Sequence, residues 1–356
     1  MNCINKKNTD LFFVLVRAGL WEKEVRLLPY GDIDYAEIMR LAQEQTVVGL
    51  VAAGLEHVTD VKVPQVWALQ FAGQTIQLEQ RNTAMNRFIA DLVSKMREAD
   101  IYTLLVKGQG IAQCYERPQW RVSGDVDLFL NVENFEKAKN LLSPLSSGNK
   151  PERNYSKELG YYIDSWSVEL HGTQRTGLSS RVDAEIDAVQ RDLFYGGKVR
   201  SWNNEGTTIF LPAVDEDVFI IFTHFIKHFY KEGGVTVRQM CDWCRLLWTY
   251  KDSIDAKLLE RRIKRAGLIS EWKAFGMLAV NYLGMPIEAM PLYSKDEKWS
   301  RKAEKIVDFI LKGGEWQKFK DTYRVGRIFP MSTLKFLPGI ILNVNWLKIK
   351  ERLFKA

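Results

Sequence analysis

The spacing of apolar residues divides this 356-residue chain into helical flanks and a middle with strand character. Residues 34–56 and 77–99 place apolar side chains three and four positions apart, which is typical of amphipathic helices. Short apolar runs bounded by turn residues replace that spacing up to residue 212, and helical spacing then returns. We therefore predict an α+β protein with an N-terminal helical region (1–99), a core (100–212) and a C-terminal helical domain (213–356).

The core region is predicted to form a small sheet with short helices between its strands. Its second half contains a hairpin that turns at Asp164 and Ser165. The predicted strands are 101–106, 125–130, 161–163, 167–171 and 207–211, and the predicted helices of the core are 109–115 and 133–142. Beyond the core, helices are predicted at 214–230 and 235–250, with the tail from residue 327 as a strap or a terminal helix.

Two carboxylates stand one residue apart at the start of the second predicted strand. Alternate side chains of a strand share a face, so Asp125 and Asp127 point the same way while Val126 points into the core. Parallel carboxylates this close repel each other unless a cation lies between them, and Mg²⁺ is the usual cation. The pair predicts a metal site, because acidic side chains within an apolar strand carry a desolvation penalty unless they are satisfied.

A third carboxylate completes the predicted metal site. Val168 and Leu170 alternate inward, which turns Glu169 and His171 to the same face as the aspartates. Glu169 is the predicted third ligand, or the base that draws the proton from an acceptor hydroxyl. Asp164 is the competing carboxylate, but it lies in the predicted turn and is therefore the weaker candidate.

A glycine-rich turn follows the first predicted strand and precedes a short helix. Free backbone N–H groups at such a turn favour a phosphate, and a lysine there can reach the same phosphate as a point charge. Arginine and serine side chains just before the aspartates can contact phosphate or support the metal strand. The predicted phosphate-binding residues are Lys107, Gly108, Gln109, Gly110, Arg121 and Ser123. The order of strand, glycine turn and acidic strand predicts phosphoryl or nucleotidyl transfer.

Composition restricts the partners and the compartment. The 50 basic and 44 acidic residues give a net charge of +6, which suits a phosphate-bearing ligand but is too small and dispersed to predict binding of duplex DNA. Four cysteines in a chain of this length do not form a disulfide scaffold, which favours a reducing compartment. The apolar runs are too short or too interrupted for a membrane span, so we expect a cytoplasmic protein.

The core motifs resemble the uncharacterised bacterial nucleotidyltransferase family of the DNA polymerase β-like nucleotidyltransferase superfamily. The similarity runs from about residue 104 to residue 250, and its specific part comprises residues 104–112, Tyr115, Pro118, Arg121 and residues 124–128. Residues 169–171 are similar to the family's Glu-Leu-His element, and residues 237–243 to its Arg-x-x-x-Asp helix. The departure is the turn, where Lys107-Gly108 replaces the Gly-Ser of most of the superfamily, as in related bacterial toxin nucleotidyltransferases.

The resemblance implies a mixed sheet flanked by helices, and two Mg²⁺ ions, or Mn²⁺, held by Asp125, Asp127 and Glu169. It also implies transfer of a nucleoside monophosphate from a nucleoside triphosphate to an acceptor hydroxyl or amine, with release of pyrophosphate (EC 2.7.7 type). The acceptor stays open among a small molecule, a protein and an RNA. Two alternatives also stay open. A toxin-like enzyme that modifies RNA predicts a continuous basic groove beside Asp125, whereas a catalytically inert nucleotide-binding protein does not need the three carboxylates.

Three of the four histidines fall in segments that we expect to face the cleft. His224 and His228 are four residues apart and therefore share one helical face. On the next helix Arg238 and Asp242 have the same spacing, which predicts an ion pair between them. A zinc site that combines these histidines with Cys241 and Cys244 is the alternative, but the pattern around the cysteines is helical rather than that of a zinc knuckle. The predicted cleft residues are His171, His224, His228, Arg238 and Asp242.

Overall fold

The computed structural model describes residues 6–153, 155, 157–231, 234–311 and 318–339. A mixed five-stranded sheet and a separate two-stranded hairpin lie between N-terminal and C-terminal helices, which confirms the predicted α+β fold class. Within these ranges no helix combines the length and the apolar character that a membrane crossing requires. The tail predicted from residue 327 as a strap or a terminal helix is helical at 327–328 and 330–339, and its remainder, 340–356, lies outside the described residues.

The N-terminal part consists of four helices: α1 (Lys6–Trp21), α2 (Tyr35–Glu44), α3 (Val48–Glu56) and α4 (Gln65–Glu98). The segment predicted as one helix over 34–56 is two helices, because Thr46 between them has a φ of +55°. Helix α4 begins well before the predicted residue 77, directly after Pro64. Its first turns expose Val66, Leu69 and Ile76, so this stretch lacks the buried stripe on which the sequence prediction relied.

The central sheet has the strand order β1-β2-β5-β4-β3. Its elements along the chain are β1 (Leu104–Val106), α5 (Gly108–Ala112), β2 (Val126–Phe129), α6 (Val132–Leu142), β3 (Gly148–Asn149), β4 (Glu158–Ile163) and β5 (Trp166–His171). Strands β2 and β5 are parallel, and the other neighbours are antiparallel. The predicted hairpin with its turn at Asp164 and Ser165 is confirmed as β4 and β5.

The core continues with α7 (Ser180–Phe194), β6 (Val199–Asn204) and β7 (Thr207–Pro212). Strand β7 corresponds to the last predicted strand, but it pairs with β6 in a separate hairpin rather than with the central sheet. Helix α7 was missed, although Val182, Ile186, Val189 and Leu193 are buried at helical spacing. The side chain of Ser179 caps this helix by accepting a hydrogen bond from the Val182 N–H group.

The C-terminal part contains α8 (Val214–Lys231), α9 (Val237–Thr249), α10 (Ala256–Ala266), α11 (Ile269–Leu283), α12 (Glu297–Leu311) and α13 (Lys318–Ile328). The first two confirm the helices predicted at 214–230 and 235–250. Helix α9 packs against α8 and against α5, so the C-terminal helices approach the glycine turn. One hydrophobic cluster includes Leu15, Ile186 and Phe222, that is, side chains from all three predicted regions, and the three-region division stays a prediction.

Candidate active site

A cavity of about 350 Å³ is lined by the glycine turn, by β2 and β5, and by helices α8 and α9. Eleven of the predicted site residues meet at this cavity, whereas Gln109, Gly110 and Ser123 do not line it. The predicted residues at its wall are Lys107, Gly108, Arg121, Asp125, Asp127, Glu169, His171, His224, His228, Arg238 and Asp242. The cavity therefore collects residues that are far apart in the sequence.

Asp127, Glu169 and His171 form the group that could hold a metal ion, with one ligand atom from each residue within 4.8 Å of the others. The parallel pairing of β2 and β5 creates this group, because it places Asp127 directly opposite Glu169. His171 lies two residues further along β5 and therefore on the same face. Val168 and Leu170 point to the opposite face and are fully buried.

Two lysines and the histidine neutralise these carboxylates. Lys107 Nζ donates to Asp127 Oδ1 over 3.0 Å, and His171 Nε2 lies 2.8 Å from the same oxygen. Lys150 Nζ donates to Glu169 Oε1 over 2.8 Å. Burial alone would raise the pKa of Asp127, but Lys107 and His171 outweigh it and hold that pKa well below its usual range. Asp127 is therefore a carboxylate, and the hydrogen that it shares with His171 belongs to Nε2.

The donor atoms fit a hard divalent cation. Asp127 Oδ2 and Glu169 Oε2 accept no hydrogen bond from the part of the chain that the structure describes. Carboxylate oxygens are the preferred ligands of Mg²⁺ and Mn²⁺. His171 Nε2 is already committed to Asp127 as a donor, so the histidine supports the orientation of that carboxylate.

Asp125 was predicted to share this metal site with Asp127 and Glu169. It lines the same cavity, but it is exposed, precedes β2, and does not belong to the three residues whose ligand atoms converge. Its role as a metal ligand stays a prediction.

The glycine turn has an unusual backbone at two successive residues. Lys107 has a φ of +59° and Gly108 a φ of +39°. Glycine adopts this region freely, whereas a residue with a Cβ atom does so at a cost in free energy. The turn therefore carries local strain at Lys107, whose side chain contacts Asp127.

The two residues after this turn face away from the cavity, in contrast to the prediction. Gln109 is buried and donates to Asn82 Oδ1 of α4 over 2.8 Å. Gly110 packs against β7, where an added Cβ atom would lie 2.9 Å from Leu211 Cδ2. Packing against α4 and β7, rather than phosphate contact, accounts for both residues.

Arg121 and Asp242 form a closed, buried ion pair. Arg121 Nε and Nη2 donate to Asp242 Oδ1 and Oδ2, each over 2.7 Å, and the Tyr115 hydroxyl donates to Oδ1 over 2.7 Å. Ser123 Oγ accepts a hydrogen bond from Arg121 Nη1. Burial would raise the pKa of Asp242, but Arg121 outweighs it and lowers that pKa. Of the two roles predicted for Arg121 and Ser123, these contacts correspond to support of the metal strand.

The predicted ion pair between Arg238 and Asp242 is wrong, because Arg121 takes both oxygens of Asp242. Arg238 instead donates from Nε to Thr46 Oγ1 over 3.1 Å and from Nη1 to the Val122 carbonyl over 2.9 Å. Arg238 and Asp242 do lie one helical turn apart, but Arg121 from the core region binds Asp242 with two hydrogen bonds and takes the place of Arg238.

His224 and His228 lie side by side on α8, with 3.1 Å between their Nε2 atoms. Burial, and then the nearby charge of Lys107, lower the pKa of His224 well below its usual range, so that its imidazole is neutral. Cys241 and Cys244 are fully buried and do not belong to the metal-binding group that the described residues form. The zinc alternative gains no support from this arrangement.

Sequence reasoning missed several residues at the cavity. Lys227 stands between the two histidines of α8, and its helical spacing from them was an available signal. Arg153 carries no comparable signal, because it lies in the irregular connection before β4. Lys150 lies in the same connection and contacts Glu169, although it does not line the cavity. The other lining residues that were missed are Gly124, Glu158, Thr173, Gln174, Arg175, Thr176, Ile221, Phe225 and Gln239.

Comparison with known proteins agrees with the resemblance noted in the motifs. Residues 31–284, more than half of the chain, match the family described as "Uncharacterised nucleotidyltransferase". No curated protein matches the chain. The crystal structure of an antigenic nucleotidyltransferase-like protein from Paracoccidioides brasiliensis matches 52% of this chain and 87% of that one, with 13% identity and a TM-score of 0.33, a likeness too slight to support an argument. On the family match, the chain belongs to the uncharacterised nucleotidyltransferase family.

Proposed function

We propose that the protein is a metal-dependent nucleotidyltransferase. It would move a nucleoside monophosphate from a nucleoside triphosphate to an acceptor hydroxyl or amine and release pyrophosphate. The observation that carries the proposal is the pairing of Asp127 with Glu169 on parallel strands at a cavity wall, each with one carboxylate oxygen that accepts no hydrogen bond from a described residue. Membership of the nucleotidyltransferase family supports the same class of reaction.

Asp127 and Glu169, together with Asp125 at the cavity rim, are the proposed ligands of two Mg²⁺ or Mn²⁺ ions. When bound, such ions neutralise the negative charge of the phosphates and make the attacking hydroxyl more acidic. His171 keeps Asp127 oriented through the hydrogen bond from Nε2. Lys107, at the same wall, is the proposed phosphate contact from the glycine turn.

The proposed reaction is an in-line displacement at the α-phosphorus. The acceptor oxygen forms a bond to phosphorus while the bond from phosphorus to the bridging oxygen breaks, and that electron pair leaves with pyrophosphate. In the alternative role of Glu169, as the base rather than a metal ligand, its Oε2 takes the proton of the acceptor, while Oε1 accepts the hydrogen bond from Lys150.

The test is transfer of label from each α-³²P nucleoside triphosphate, with Mg²⁺ or Mn²⁺ and cell extract as the source of acceptor. We expect a labelled product with the wild type and a loss of about a thousandfold or more with Asp127→Asn, because several kcal/mol of charge stabilisation disappear. Glu169→Gln should cause a comparable loss. Fractionation into small molecules, protein and RNA would identify the acceptor class, and a labelled RNA would favour the toxin-like alternative.

Asp164→Asn is the matched control, since Asp164 is exposed in the turn between β4 and β5 and does not line the cavity. Its φ of +51° is one that asparagine adopts readily. This variant should transfer label like the wild type. If Asp127→Asn were as active as the wild type, the proposal would be wrong, and nucleotide binding without any labelled product would favour the inert alternative.

A further inference from the structure

Arg238 is the cation at the cavity wall for which the described residues provide no carboxylate oxygen within 4.0 Å. Every other lysine or arginine that lines the cavity lies within 4.0 Å of a carboxylate oxygen. These pairs are Lys107 with Asp127, Arg121 with Asp242, Arg153 with Glu158, Arg175 with Asp187, and Lys227 with Glu158. Among the described cations at this cavity, Arg238 is therefore the one without a carboxylate oxygen at ion-pair distance.

The contacts of Arg238 leave part of its guanidinium group available. Its two hydrogen bonds go to neutral acceptors, the Thr46 hydroxyl and the Val122 carbonyl. Nη2 donates to no described residue, and the partly buried side chain opens onto the cavity. Asp242, one helical turn away, is already saturated by Arg121 and Tyr115. Burial, and then the charge of Arg121, lower the pKa of Arg238.

The backbone at the start of α9 cannot replace the guanidinium as an anion donor. The Val237 N–H group donates to Gln45 Oε1 over 3.1 Å, and the Arg238 N–H group donates to the Gln45 carbonyl over 3.3 Å. The Thr236 N–H group donates to Gln239 Oε1 over 2.9 Å, and the Gln239 N–H group donates to the Thr236 carbonyl over 3.2 Å. An anion that enters here would thus meet the side chain of Arg238 rather than free N–H groups.

We propose that Arg238 is an anion subsite that binds the terminal phosphates of the nucleoside triphosphate, the part that leaves as pyrophosphate. The inference rests on the proposed function, since it assumes that the α-phosphate lies at Asp127 and Glu169. A guanidinium group offers phosphate two parallel N–H donors in a fixed plane. The hydrogen bond to Val122 holds this group beside the segment that leads into β2 and its aspartate.

The test is binding of inorganic pyrophosphate by isothermal titration calorimetry in buffer with EDTA, where no transfer can occur. We expect the wild type to bind, and Arg238→Gln to bind about tenfold to a hundredfold more weakly, because charge-assisted hydrogen bonds are lost. Arg238→Lys should fall between them, since it keeps the charge and loses the planar fork. Asp127→Asn should bind at least as tightly as the wild type, because it removes a negative charge from the cavity.

Arg181→Gln is the matched control. Among the described residues Arg181 likewise donates to neutral acceptors, the carbonyl groups of Arg265 and Lys264, but it does not line the cavity, so its variant should bind pyrophosphate like the wild type. Unchanged affinity in Arg238→Gln, or no binding by either the wild type or Asp127→Asn, would overturn the inference. If Arg238→Gln does not fold, Arg238→Lys decides by the same comparison. Pyrophosphate binding that depends on Arg238 without nucleotidyl transfer would contradict the proposed function alone.

Discussion

Two of the ion pairs at the cavity wall differ in burial and in the hydrogen bonds that their carboxylates accept. In the pair of Arg121 and Asp242, the side chains are 3% and 7% exposed, and both carboxylate oxygens are occupied by donors. In the pair of Lys107 and Asp127, each side chain is 12% exposed and Asp127 Oδ2 is unused. The difference indicates which pair holds the fold and which keeps binding capacity. A carboxylate whose two oxygens both accept hydrogen bonds from the protein is less available to a ligand than one with an oxygen that accepts none.

The largest effect on stability should come from Asp242→Asn. This change leaves the buried Arg121 guanidinium without its carboxylate, and breaking a buried pair in this way costs about 3–5 kcal/mol of unfolding free energy. Urea denaturation followed by circular dichroism would measure the loss. The nearby charge of Arg238 adds to the cost, because Asp242 also compensates that group electrostatically.

Asp127→Asn makes the same chemical change in the other ion pair, so its loss of unfolding free energy can be compared directly with that of Asp242→Asn. Lys107 opens onto the cavity and also interacts with Glu169 and Glu158, so it is less isolated by the change than Arg121 would be. We expect a clearly smaller loss of unfolding free energy than for Asp242→Asn. Equal losses would show that the two pairs do not differ as their hydrogen bonds suggest.

Divalent cations should change the unfolding free energy of the two variants differently, by an amount smaller than the loss expected for Asp242→Asn. If Asp127 and Glu169 bind Mg²⁺ or Mn²⁺, a cation concentration of a hundred times its Kd raises the unfolding free energy by about 2.7 kcal/mol. The rise should be retained in Asp242→Asn and absent in Asp127→Asn, as measured by urea denaturation with and without the cation. Equal stabilisation of Asp127→Asn would place the cation elsewhere.

The sequence predicted the faces of the strands better than their partners. Alternation correctly put Asp127, Glu169 and His171 on one face, because period-two patterning is a local property of a half-buried strand. It did not reveal that β2 and β5 are parallel neighbours, or that β7 leaves the central sheet, since those pairings join segments far apart in the chain. Helix α7 could have been predicted from its spacing and was not.

At the site too, local sequence patterns did not predict which residues contact each other over long distances in the chain. The four-residue spacing of Arg238 and Asp242 suggested a local pair, but Arg121 lies 121 residues before Asp242 and binds it with two hydrogen bonds. Gln109 belongs to a motif that suggests phosphate binding, yet its partner is Asn82 on α4. A motif therefore fixes residue types at a site, whereas long-range packing decides which of their polar atoms face the ligand.

Ser123→Ala should give the smallest effect and the finest test of the comparison. It removes the hydrogen bond from Arg121 Nη1 to Ser123 Oγ, while Nη1 also donates to the Val122 carbonyl. The expected cost is about 1 kcal/mol of unfolding free energy, typical of one hydrogen bond, and it would appear as a lower urea midpoint. Nucleotidyl transfer should be unchanged, because Ser123 does not line the cavity. A loss of transfer comparable to that of Asp127→Asn, without the loss of stability, would instead mean that Ser123 contacts phosphate, and the saturated pair would then belong to the binding machinery after all.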